Sequence, residues 1–310
     1  MLIYSLKRFG FILLTLFIIV TITFFMMHSI PGDPLAGDAN KLPASVRENY
    51  YKKYGLDKPI TSQYVVFLGN LLHGNLGESL RQPGRTVMDK LRTGLPASMQ
   101  IGWQAIFIGV LLGCTLGVTA ALRRGRTTDR AVMILALIGI STPSFVMAFL
   151  LQFVFAVNLK WFPISGFNGF NASILPTFAF AFGSIAAYSR YMRASCLEIV
   201  GQDYMLTAKA KGISNFAVTV KHLLRNAVLP VITSLPVQFL MVIFGSLTIE
   251  SIFNIPGLGG AFLGAITAQD YPLILGFTII ISVLYLISLL IVDILYGVVD
   301  PRIRVAKKKA

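Results

Sequence analysis

The side chains of this sequence that could do chemistry are few, and they do not converge. His28, His73 and His222 are widely separated, and on the topology derived below they lie on both sides of a membrane, so they cannot share one metal. There is no H-E-x-x-H, no Cys-x-x-Cys, no G-x-S-x-G and no G-x-x-x-x-G-K-[ST] phosphate loop. Cys114 lies inside an apolar run and Cys196 beside a polar stretch, a placement that reads as small buried thiols. Among the carboxylates, Glu250 and Asp300 fall at or beyond the ends of apolar runs and Asp270 in a connecting loop. Asp293 is deeper, about a turn from the end of the last run; pairing with an arginine of the tail and a proton-relay role are its two readings. No catalytic, metal-binding or cofactor-binding set is assigned.

What remains is one long polar stretch, 190–230, RYMRASCLEIVGQDYMLTAKAKGISNFAVTVKHLLRNAVLP. Its cations and small residues suit docking rather than bond chemistry. Asp203, after Gln202, can accept the orphan amide protons of a first turn, so a helix is predicted over 204–211. Gly212 is its natural terminator, since it takes a left-handed backbone without a Cβ penalty. A second helix is predicted from 215, with Phe216, Val220, Leu223 and Leu224 on one face and Lys221 and Arg225 on another. This pattern fits two roles: a docking element for a soluble partner, and a connecting loop whose lysines follow topology rules.

The elements that position this stretch are membrane helices. The chain has 310 residues, 55% apolar and 13% charged, and each bilayer crossing needs about 20 consecutive apolar residues. Six runs are long enough: 9–28, 99–122, 131–157, 174–192, 229–248 and 273–296. The first is longer than a signal-peptide core of roughly 7 to 15 residues and lacks a nearby cleavage site, so it reads as a retained span. Net charge of +14 is explained by basic residues flanking these runs, and nucleic-acid binding is excluded by the lack of a basic patch interleaved with aromatics.

Lysine and arginine in short loops set orientation. Arg123, Arg124, Arg126 and Arg130 fill one connection, the polar stretch adds Arg190, Arg193, Lys209, Lys211, Lys221 and Arg225, and the tail ends Arg302, Arg304, Lys307, Lys308, Lys309. The opposite short loops hold Lys160 alone. Both termini and the polar stretch are therefore expected in the cytoplasm, and 29–97 outside, since long loops translocate largely regardless of charge. In that outer domain 44–54 reads as a short helix between Pro43 and Gly55, 63–72 as a second with Val65, Leu68 and Leu72 on one side, and 73–84 as turn-rich. Gly109, Gly113 and Gly117 share one face of the second span, where packing within the chain is favoured over a dimer seam. Pro143, Pro176, Pro230 and Pro236 lie in or at the ends of later spans.

IPGDP (30–34), YGLDKP (54–59), HGNLG (73–77), LTAKAKG (206–212), LRNAVLP (224–230), ESIFNIPGLG (250–259), QDYPL (269–273) and VDILYGVVDPRIR (292–304) run through the chain. In these motifs it resembles the B-type permease subunit of oligopeptide and dipeptide ABC importers. LTAKAKG stands where this family places its cytoplasmic coupling loop, the EAA loop. Leu206 replaces the acidic residue, and Leu229-Pro230 lies farther from Gly212 than in sugar importers; both departures are similar to peptide importers.

The resemblance implies an all-α, six-helix type I importer fold in a bacterial inner membrane. Its parts would be a first helix (1–28), an extracytoplasmic domain (29–97), a five-helix core (98–296) with the coupling loop at 193–228, and a basic tail (297–310). It implies a C-type permease partner, two ATPase subunits that hold the ATP and Mg, and an extracytoplasmic peptide-binding protein. Coupling residues carried over are Asp203, Thr207, Ala208, Lys209, Ala210, Lys211, Gly212 and Ser214. Ala208, Ala210 and Gly212 would let the helix lie close to the ATPase, and Lys209 and Lys211 would meet acidic groups there. Relatives sharing these motifs import nickel chelates, haem, glutathione or opines, but the spans here carry no His or Cys cluster for free metal. An ATP-independent channel or secondary transporter is the competing class; no inverted repeat or buried carboxylate set supports it. The residues lining the substrate path are unassigned.

Overall fold

The computed structural model describes residues 2–30, 48–49, 51–53, 55–243 and 247–299. The helices among them are α1 (Leu2–Ser29), α2 (Ile60–Leu72), α3 (Val87–Leu122), α4 (Thr127–Ser141), α5 (Ser144–Leu151), α6 (Phe170–Val200), α7 (Asp203–Ala210), α8 (Asn215–Val218), α9 (Leu229–Ile243), α10 (Leu247–Ile252), α11 (Leu258–Thr267) and α12 (Tyr271–Val299). π-Helical segments Gln152–Asn158 and Thr219–Leu224 follow α5 and α8, the second leading into a turn at Arg225–Ala227. By length and composition, Gly10–Ser29, α3, α6 and Tyr271–Leu290 can each cross a bilayer, and α4 with α5 and its extension makes a further crossing if taken as one. The span expected at 229–248 corresponds to the 15 residues of α9, and 244–246 lie outside the described residues. So do 300–310 of the tail, all of 31–47 and the side chain of Asp293.

The third expected span, 131–157, is not one straight helix. It breaks between Ser141 and Ser144 with a bend of 107°. Pro143 has no amide to donate and disfavours helical backbone in the residue before it; Thr142 accordingly sits at φ −90°, ψ 119°.

The chain divides into two units, Met1–Pro96 with Pro256–Ile287, and Ala97–Ile255 with Ser288–Ala310. In the first, Val20, Leu76, Val87, Leu91, Leu258 and Phe277 form the core, with Phe67, Leu68 and Leu71 of α2 packed on it. Of the expected inward side Leu68 does pack on the core, but Val65 and Leu72 are 67% and 87% exposed, so the helix is rotated toward Phe67 and Leu71. Aromatic contact with α1 sets the rotation, since Phe24 and Phe67 stack at 5.4 Å and the hydroxyls of Thr21 and Tyr64 share a 2.6 Å hydrogen bond. Gly55 takes φ +67°, as its place after the short helix predicts. The segment after α2 is turn-rich and is fastened by Asp270, which is 1% exposed. The Asp270 carboxylate accepts hydrogen bonds from the Ser79 hydroxyl (2.5 Å) and from the amides of Leu80 (3.1 Å) and Arg81 (3.4 Å). Replacing Asp270 by Ala leaves buried donors without an acceptor, a loss of about 1–3 kcal/mol. Limited proteolysis is expected to cut Asp270→Ala faster than wild type within 79–86, and equal rates would refute the fastening.

In the second unit the glycine stripe of α3 lies against α6. A Cβ built on Gly109 would stand 3.1 Å from Ser184 Cβ, one on Gly113 2.6 Å from Tyr188 Cβ, and one on Gly117 2.5 Å from the Ser189 carbonyl. Packing within the chain is thus the use of this stripe. Gly139 brings α4 equally close, its built Cβ 2.6 Å from Ala186 Cβ. Glu250, 2% exposed, accepts from the Ser98 hydroxyl at 2.7 Å, a structural use for a carboxylate at the end of an apolar run. Cys196 is buried and Cys114 half-buried, both as free thiols.

Candidate coupling site

The polar stretch folds as the two short helices that its sequence implies, with one change of face. α7 starts at Asp203 and ends at Ala210, and Gly212 follows at φ +73°. Ser214 opens the next helix: its hydroxyl accepts from the Ala217 amide at 3.3 Å, so its observed role is a cap. The π-helical turn at Thr219–Leu224 then alters the phase. An i→i+5 turn holds more residues than an α-turn, so Phe216 and Leu223 do not share a face. Leu223 is 1% exposed, whereas Phe216 is 79% and Val220 43% exposed, which corrects the expected grouping of Phe216, Val220, Leu223 and Leu224.

Met205, Ala208, Val218, Leu223 and Ala227 turn inward and pack with Tyr188, Met192 and Cys196 of α6 and with Ala121 of α3. Ala208 therefore seats α7 on its stem, in contrast to the expected contact with a partner. Asp203, Thr207, Ala210, Lys211, Gly212 and Ser214 are exposed together on the other side; the side chain of Lys209 lies outside the described residues. Between them stand residues that the sequence reading did not single out as contacts: Leu206 is 59% and Tyr204 44% exposed, as is Phe216 further on. Their signal was apolar side chains in a stretch otherwise polar. The Asn226 amide donates to the Tyr204 hydroxyl at 3.3 Å, tying the two helical pieces together. The exposed face thus mixes apolar anchors with a carboxylate and a lysine, which suits a protein surface.

Residues 109–305 match the family of binding-protein-dependent transport system inner membrane components, and residues 1–86 match the N-terminal family of the same membrane components. The chain belongs to this family. It is 44% identical over 305 residues to the dipeptide transport system permease protein DppB of Bacillus subtilis (strain 168), covering 98% of this chain and 99% of that one. To the oligopeptide transport system permease protein OppB of Escherichia coli (strain K12) it is 39% identical over 292 residues, 94% of this chain and 95% of that one. Among solved structures, an amino acid ABC transporter crystallised with histidines shares the fold at a TM-score of 0.50 and 16% identity, over 76% of this chain and 98% of that one. As a member of this permease family the chain is a multi-pass inner-membrane component.

Proposed function

We propose that this chain is the permease subunit of an ATP-driven importer that moves dipeptides or oligopeptides into the cytoplasm. The observation that carries this reading is the identity of 44%, over 98% of the chain, to a dipeptide transport permease. The face formed by Asp203, Tyr204, Leu206, Thr207, Lys211, Gly212 and Phe216 is its contact with an ATPase subunit, and the distribution of Lys and Arg supports a cytoplasmic position for it. Both termini lie on that side, and 29–97 faces outward, toward a peptide-binding protein. The permease works beside a C-type permease and two ATPases, which carry the ATP and Mg; this chain holds no ATPase site of its own.

The test is a mild-detergent pull-down of the chain tagged at Ala310, followed by reconstitution of what is retained. Recovery of a second permease and two ATPases, with ATP-dependent uptake of labelled dipeptides in the presence of the binding protein, is expected. Recovery of the chain alone, or transport that survives ATP depletion, would overturn the reading in favour of a channel. Uptake of nickel chelate, haem or glutathione in place of peptide would overturn the substrate and leave the importer standing.

A further inference from the structure

The sequence treats Arg193 as one more cytoplasmic charge and gives Asp129 no role, yet the structure joins them. Asp129 lies in the first turn of α4 and is 4% exposed. Its two carboxylate oxygens accept from Arg193 Nε at 2.6 Å and Nη2 at 2.8 Å, and Oδ2 also accepts from the Gly125 amide at 2.9 Å. A charge serving topology alone needs only to face water. This one is partly covered and forked onto a buried carboxylate, and a bidentate guanidinium fixes direction as well as distance.

A second clamp lies further along the same helix pair. At Gly139 the backbone of α4 meets Ala186 of α6 so closely that no Cβ would fit between them. Asp129 and Gly139 are ten residues apart, roughly 15 Å along α4 at 1.5 Å per residue. Two clamps at that separation prevent α4 from sliding or turning against α6. The far end of α6 bears the coupling element, through Met192 and Cys196 packed on Met205, Ala208, Val218 and Leu223. The far end of α4 is the break at Thr142–Pro143.

We infer that Asp129 and Arg193 are positioning residues that bolt α4 to the stem of the coupling element, so that a displacement at 203–214 is carried along α4 to its break. This inference rests on the importer reading. In it, docking and hydrolysis at the ATPase are not enough for uptake, because α4 must move with α6 as one body.

The experiment uses the assembled importer in proteoliposomes, with binding protein and a labelled dipeptide, and reads peptide imported per ATP hydrolysed. Asp129→Asn and Arg193→Gln are expected to lower that ratio at least fivefold while hydrolysis continues. In a chain whose Cys114 and Cys196 are replaced by Ala, Asp129→Cys with Arg193→Cys should show the same loss. A short bis-maleimide joining the two new thiols should restore at least half of the ratio. Single variants that assemble and keep the wild-type ratio would overturn the bolt. So would a cross-linked pair that remains uncoupled, since a rigid α4–α6 unit is what the tether imposes. If Asp129→Asn fails to assemble, the cross-linked pair decides alone. Failure of the importer reading looks different, because the unaltered chain would then take up no peptide on addition of ATP.

Discussion

Replacing Gly212 by Trp is expected to abolish peptide uptake while the partner ATPases go on hydrolysing ATP. Two costs of this substitution can be separated. Gly212 sits at φ +73°, where an L-residue is strained by roughly 1–2 kcal/mol. No atom lies within 4 Å of a Cβ placed there, so the first side-chain atom has open space around it. The indole then projects from the exposed surface just past the end of α7. A graded series follows. Gly212→Asn should be close to neutral, because Asn tolerates the left-handed region. Gly212→Ala should show the strain alone, as a modest fall in assembled complex, and Trp should show near-complete loss of uptake with hydrolysis retained. Measurement of both rates in the same vesicles checks the series, and normal uptake by the Trp variant at wild-type expression would sink it.

That Gly212 could be placed from sequence reflects how local its cause is. A glycine that can take the left-handed backbone ends a helix there, whatever surrounds it, and the glycine stripe of α3 was legible for a similar reason: its spacing names a face. The rotation of α2 was not legible, because Val65 and Leu72 offered as plausible an apolar side as Phe67 and Leu71. Only the rings of α1 choose between them. The π-helical turn at Thr219–Leu224 defeated the face assignment of the coupling helices, since a period of 3.6 was assumed through a segment that does not have it. Asp129 and Asp270 were invisible as fasteners because their partners are 64 and about 190 residues away along the chain. Local pattern shows a charge at the edge of an apolar run and nothing of its distant partner. Within the coupling site the same limit separated docking residues from packing residues: Ala208 and Ala210 are alike in sequence, and burial alone sorts them.

The largest loss of stability is expected from filling the contact between α3 and α6. A Cβ on Gly117 would lie 2.5 Å from the Ser189 carbonyl oxygen, 2.6 Å from Met192 Cβ and 3.1 Å from the Arg193 amide nitrogen. Two of these neighbours are backbone and the third is a Cβ, so no rotamer change can make room. The helices must separate, and with them the small-residue packing at Gly113 and Gly109 on the same face. Overpacking of a tight core typically costs about 1–3 kcal/mol per site, and Gly113→Leu with Gly117→Leu places two such sites one turn apart. The double variant is expected to be lost from the monodisperse peak on detergent size exclusion, with Gly117→Leu alone melting well below wild type. Gly183→Leu is the matched control, being a glycine of α6 whose Cβ would meet nothing within 4 Å. In the interior of a helix, leucine there should hold or raise the melting temperature, since glycine is the poorer helix former by roughly 1 kcal/mol. A double variant that stays folded, or a control that melts as low as Gly117→Leu, would show that backbone proximity between α3 and α6 does not hold this unit together.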